Sequence, residues 1–72
     1  MQRTTQREKV LLYLNDCGSI TPLDALREFG IMRLAARIWE LRKLGYNIIK
    51  TMEKRSNRYG EDVRYARYSL AA

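Results

Sequence analysis

The tetrad Thr21-Pro22-Leu23-Asp24 constrains this chain more than any other four residues. Thr21 can cap a helix, Pro22 has its φ pre-set for the first helical position and lacks the N–H that would be orphaned there, and Asp24 sets negative charge at the positive end of the dipole. Leu23, Ala25, Leu26 and Phe29 supply an apolar stripe, and Gly30 breaks the run, which predicts a helix over residues 22–29. Upstream, Thr5-Gln6-Arg7-Glu8 fits a capping box, with the Glu8 N–H donating to the Thr5 hydroxyl and the Thr5 N–H donating to the Glu8 carboxylate. Val10, Leu11, Leu14 and Cys17 recur at helical spacing up to Gly18 and predict a first helix over residues 5–17. Downstream, Leu34, Ile38 and Leu41 share one helical face with Ile31 and Ala35 at its margins. A third helix is predicted from Ile31 to Leu44, stopped by Gly45.

After Gly45 the apolar period changes from 3.6 toward 2. Residues 46–52 are rich in β-formers, with Ile48, Lys50 and Met52 on one face and Asn47, Ile49 and Thr51 on the other. Val63 to Leu70 repeats the theme, with Ala66, Tyr68 and Leu70 opposed to Tyr65, Arg67 and Ser69. Between them, residues 54–62 are polar and turn-forming, so the C-terminal part reads as a hairpin with a basic tip. Ser19-Ile20-Thr21 is long enough only for a short extended bridge.

Length and composition restrict function. Seventy-two residues leave room for one domain, expected over residues 1–72, and so small a domain has little interior to spare for a catalytic cavity. The chain has no histidine, no CxxC and no phosphate-cradling glycine loop, and its acids are scattered. No enzyme activity, metal, cofactor or small-molecule ligand is expected. The single cysteine, Cys17, suits a reducing compartment and is assigned to the core as part of the helix-one stripe. Residues 1–7 lack the apolar core of a signal peptide, and no run approaches a membrane span, so a cytoplasmic location is expected. Fourteen Lys and Arg against eight Asp and Glu give +6. Residues 1–30 are balanced at four and four, whereas residues 31–72 carry ten basic and four acidic groups. Localised charge of this kind points to a polyanionic partner.

The basic groups fall into two sets. With Leu34, Ile38 and Leu41 inward, Arg33 and Ala36 face outward and Arg37 reaches from the flank, an edge suited to a major groove. Arginine can fork onto guanine O6 and N7, Ala36 permits close approach, Met32 can touch a thymine methyl, and Lys43 suits phosphate. Lys54, Arg55 and Arg58 crowd the predicted hairpin tip, interleaved with Asn57 and Tyr59, where they can lie along the backbone or enter the minor groove. The plainer readings are a solvated helix face, with Arg33 and Arg37 serving solubility or pairing with Glu40, and a turn whose charge guards the hairpin edges. Two basic elements on one ligand make double-stranded DNA the expected partner. The alternatives are an acidic protein and, more distantly, an anionic membrane. Trp39 is assigned to packing beneath the hairpin, ahead of self-association or base stacking. Tyr13, Tyr46 and Tyr68 read as the edge of the core, and Tyr59 and Tyr65 as exposed hairpin tyrosines within reach of sugar or phosphate.

With Ser19-Ile20-Thr21-Pro22-Leu23-Asp24-Ala25-Leu26, then Phe29-Gly30-Ile31-Met32-Arg33-Leu34-Ala35-Ala36-Arg37-Ile38, then Leu41-Arg42-Lys43-Leu44-Gly45-Tyr46-Asn47-Ile48, the chain resembles a family of small helix-turn-helix proteins of bacteriophages and prophages. The resemblance spans about residues 6–70. It implies a DNA-binding protein of phage or prophage, a transcriptional regulator or a factor in DNA replication or recombination. The chain is also similar, more loosely, to winged-helix repressors, in which a leucine, three residues and a glycine close the helix before the wing, as Leu41 to Gly45 do here. That similarity maps base reading onto Met32, Arg33 and Ala36, although such repressors often place a large polar residue where this chain has Ala36. The expected fold is α+β, mainly α: a winged helix-turn-helix of three helices, a short strand and a C-terminal hairpin wing. Pairing of two copies on a palindromic site is the expected way for so small a module to gain specificity.

Overall fold

Two threonines open two helices. The Thr5 hydroxyl accepts from the Glu8 N–H at 3.2 Å and starts α1 (Gln6–Cys17). At Thr21 the box is reciprocal: the Asp24 N–H donates to the Thr21 hydroxyl at 3.2 Å and the Thr21 N–H to the Asp24 carboxylate at 3.1 Å. With Pro22 at its head, this fixes α2 (Pro22–Phe29). The computed structural model describes residues 5–71, which continue through α3 (Leu34–Lys43), β2 (Ile48–Ser56) and β3 (Asp62–Leu70), with β1 (Ser19–Ile20) between α1 and α2.

The third helix starts three residues later than its apolar pattern predicts. Gly30 takes a left-handed φ of 67°, and the end of α2 is closed by the Gly30 and Ile31 N–H groups on the carbonyls of Leu26 and Ala25. Ile31 is thereby delivered to the core from a turn, which leaves Met32 and Arg33 outside the helix, with Arg33 as its N-cap residue. The far end of α3 is a Schellman arrangement. The Tyr46 N–H donates to the Leu41 carbonyl and the Gly45 N–H to that of Arg42, with Gly45 at a φ of 105°.

The strands form one antiparallel sheet in the order β1-β3-β2. β2 and β3 pair without interruption from Ile48↔Leu70 to Ser56↔Asp62, so the hairpin is longer than predicted and Lys54 and Arg55 stand in its stem, not at its tip. The tip is Asn57 to Glu61, organised by the Asn57 side chain: its Oδ1 accepts from the N–H groups of Tyr59 (2.9 Å) and Glu61 (3.0 Å). The two faces alternate as the sequence predicts. Ile48 and Tyr68 are buried together with Val10, Leu14, Ile20, Ala25, Ile31, Leu34, Ile38 and Leu41, so the face bearing Ile48, Tyr68 and Leu70 is the one the helices cover.

Three expectations about packing are corrected. Cys17 is exposed, because α1 ends there and Gly18 turns the chain away before anything covers it. In α2 only Ala25 is fully buried and Phe29 half-buried, the latter edge-to-face with Tyr13 at 5.8 Å, whereas Leu23 and Leu26 are exposed. A two-turn helix covers the core with one row of side chains, and the leucines lie on the next row. Among the tyrosines, Tyr68 is buried and Tyr13 half-buried as expected, but Tyr46 is exposed. Among the described residues no helix is long and apolar enough to cross a membrane.

Candidate nucleic-acid interface

The inward row of α3 is Leu34, Ile38 and Leu41. Counting 100° per residue from that row puts Ala36 and Lys43 at the centre of the outward face, with Trp39 and Glu40 beside them. Trp39 is 60% exposed and the Lys43 ammonium sits 4.4 Å from its ring centroid, a cation–π contact. It does not pack beneath the wing as predicted; a tryptophan stands on the outer surface of the helix. Arg42 turns back instead. Its Nε and Nη2 donate to the Ile48 carbonyl at 3.2 and 2.8 Å, tying the end of α3 to the first residue of β2 and so fixing the angle between helix and wing.

At the other end of α3, Met32 (84% exposed), Arg33, Ala35 and Ala36 line a shallow hollow of about 320 Å³ with Pro22 and Tyr68. Met32, Arg33 and Ala36 are thus brought together as the sequence predicts, although two of them precede the helix. Arg37 is not with them. Its Nη1 donates to Gln6 Oε1 at 3.1 Å and its Nη2 lies 3.0 Å from Glu40 Oε2, while its buried Nε has no partner among the described residues. The guanidinium reaches Gln6 at the start of α1, and for Arg37 the plainer alternative, pairing with Glu40, is the one that forms.

Register sorts the wing's cations. Lys50, Lys54 and Arg64 lie on the face that the helices cover at its base, and Lys54 stands directly opposite Arg64. Like charges directly opposed across a pair of strands are destabilising. Asp62 answers one of them, with its carboxylate 3.5 Å from the Lys54 ammonium. On the other face Arg67 is paired: its Nε lies 2.9 Å from Glu53 Oε1 and its Nη1 donates to Ser19 Oγ at 2.9 Å. The Arg67 guanidinium holds the Glu53 carboxyl below the usual carboxylate range, and Glu53 in turn raises Arg67. Arg55 is on this second face with Val63, away from Lys54, and Arg58 is exposed at the tip. Lys50 and Arg64 were not among the expected contacts, and period-2 alternation finds both once the register is known, because they share a face with Lys54.

A family model described as a winged helix-turn-helix domain matches residues 5–72. The chain belongs to the winged helix-turn-helix family. No match was found among curated proteins or among solved structures. In this winged helix-turn-helix domain α2 and α3 form the helix-turn-helix and β2 and β3 the wing. Membership points to DNA binding as the general function, and winged helix-turn-helix domains are typically not enzymes.

Proposed function

We propose that the protein binds double-stranded DNA with the start and outward face of α3 in the major groove and the Lys50, Lys54 and Arg64 face of the wing along the phosphates. Met32, Arg33 and Ala36 meet base edges. Lys43 and the tip residue Arg58 contact phosphate. Arg37 falls outside this surface, engaged with Gln6 and Glu40, and Arg55, on the opposite face of the hairpin, adjoins it only where it lines a groove with Met32. The observation that carries the reading is the opposition of Lys54 and Arg64 on the helix side of the sheet. A repulsive pair kept in the folded state is relieved by a polyanion laid across it. The setting that follows from the resemblance is the cytoplasm of a bacterial host, in control of transcription or in replication or recombination of phage DNA. Two copies then share a palindromic site.

Trp39, the only tryptophan of the chain, reports on this surface directly. Titration with a random duplex at low salt quenches its fluorescence, and engagement of about four to six phosphates gives log affinity against log salt a slope of about −4 to −5. In the Lys54→Ala, Arg64→Ala variant the slope falls in magnitude by nearly two. Absence of quenching, or a slope indifferent to the double substitution, refutes the proposal.

A further inference from the structure

β1 has two residues and β3 nine, so β1 covers only the Tyr68 and Ser69 end of its neighbour. The Ala71 N–H donates to the Asn47 carbonyl on the β2 side. Alternation along the unbroken register then turns the backbone groups of Ala66 and Arg64 toward the side that β1 leaves open, where no described strand pairs with them. Facing this free edge is α2, and between the two runs a groove of about 550 Å³. Its walls include the exposed Leu23 and Leu26 of α2, Met32 of the turn and Val63 of β3. Its rim is cationic. Arg27 and Arg55 have no ion-pair partner among the described residues, and the groove's one carboxylate, Asp24, is committed to the Thr21 N–H.

We propose that this groove receives an extended acidic segment of a partner protein, added as a strand along the free edge of β3. The backbone of the segment bonds to Ala66 and Arg64, its apolar side chains cover Leu23 and Leu26, and its carboxylates meet Arg27 and Arg55. Open strand edges are templates for such addition, and side-chain pockets beside them supply selectivity. The apolar walls suit side chains better than a phosphate backbone, so the groove, which meets the proposed DNA surface at Met32, is assigned a different ligand.

The test uses the whole chain and a fluorescein-labelled peptide of alternating glutamate and valine, read by anisotropy, beside the same peptide with lysine for glutamate. The glutamate peptide binds and slows hydrogen exchange at the Ala66 and Arg64 amides. Arg27→Glu and Leu26→Asp, both at exposed positions, each weaken it about tenfold, and the lysine peptide binds at least tenfold more weakly. Lys50→Ala with Lys54→Ala, both on β2 and outside the groove, lowers affinity for duplex DNA and leaves the peptide bound, so either proposal can fail alone. No peptide binding, equal binding of the lysine peptide, or unchanged exchange at Ala66 and Arg64 overturns the assignment. So does an equal loss of duplex affinity in Arg27→Glu, which gives the groove to DNA. A dimer that Leu26→Asp converts to monomer in sedimentation overturns it too, giving the groove to a second copy.

Discussion

Arg33 occupies the last position before α3, with φ −115° and ψ 63° and no side-chain cap of its own. It lines the shallow hollow ahead of the helix, the position to which the proposed function assigns a base contact. Arg33→Ala is expected to relax sequence preference at one base pair at a cost of roughly 1–3 kcal/mol, with little change in salt slope; selection from a random duplex library before and after the substitution checks this. Glu53 gives a prediction of a different kind. Its pKa is lowered in the fold by Arg67, so its contribution is complete above the carboxylate range and is lost as pH falls through the folded value. Thermal melts over a pH series should therefore show wild type above Glu53→Gln near neutrality and the two converging in acid. At this scale the sequence told the residue types but not their partners. Arg33 and Arg37 look alike in the sequence, and Glu40 on the same helix together with Gln6 from 31 residues away separates the exposed one from the clamped one.

Among the elements, legibility followed how local the determining forces are. The Thr21 cap and the Gly30 and Gly45 stops act within a few residues and were readable to within one position. The start of α3 was not, because Ile31 satisfies a helical apolar pattern while reaching the core from a turn. The wing's length was missed for a related reason. Charged residues 53–55 have low strand propensity, and it is their pairing with residues 63–65 that keeps them extended. That pairing carries a cost which yields the element-scale prediction. Arg64→Thr replaces a repelled cation opposite Lys54 with a good β-former, so it should raise stability by roughly 0.2–1 kcal/mol in denaturant unfolding while weakening DNA binding.

At the scale of the molecule, nine aliphatic side chains and Tyr68 make the core among the described residues, and the remaining length goes into reach: the principal extents are 44 × 28 × 20 Å. The wing is a stiff arm because its tip is tied by Asn57 and its root by Arg42, so its distal cations hold a fixed attitude to α3. Pleating then imposes a parity. Removing one facing pair, Met52 with Ala66, rotates everything beyond it by half a turn, carrying Lys54 and Arg64 to the back of the arm and Arg55 to the front. Removing two facing pairs shortens the arm and restores the original aspect. Duplex affinity across such a deletion series should oscillate with odd and even steps instead of decaying smoothly with length.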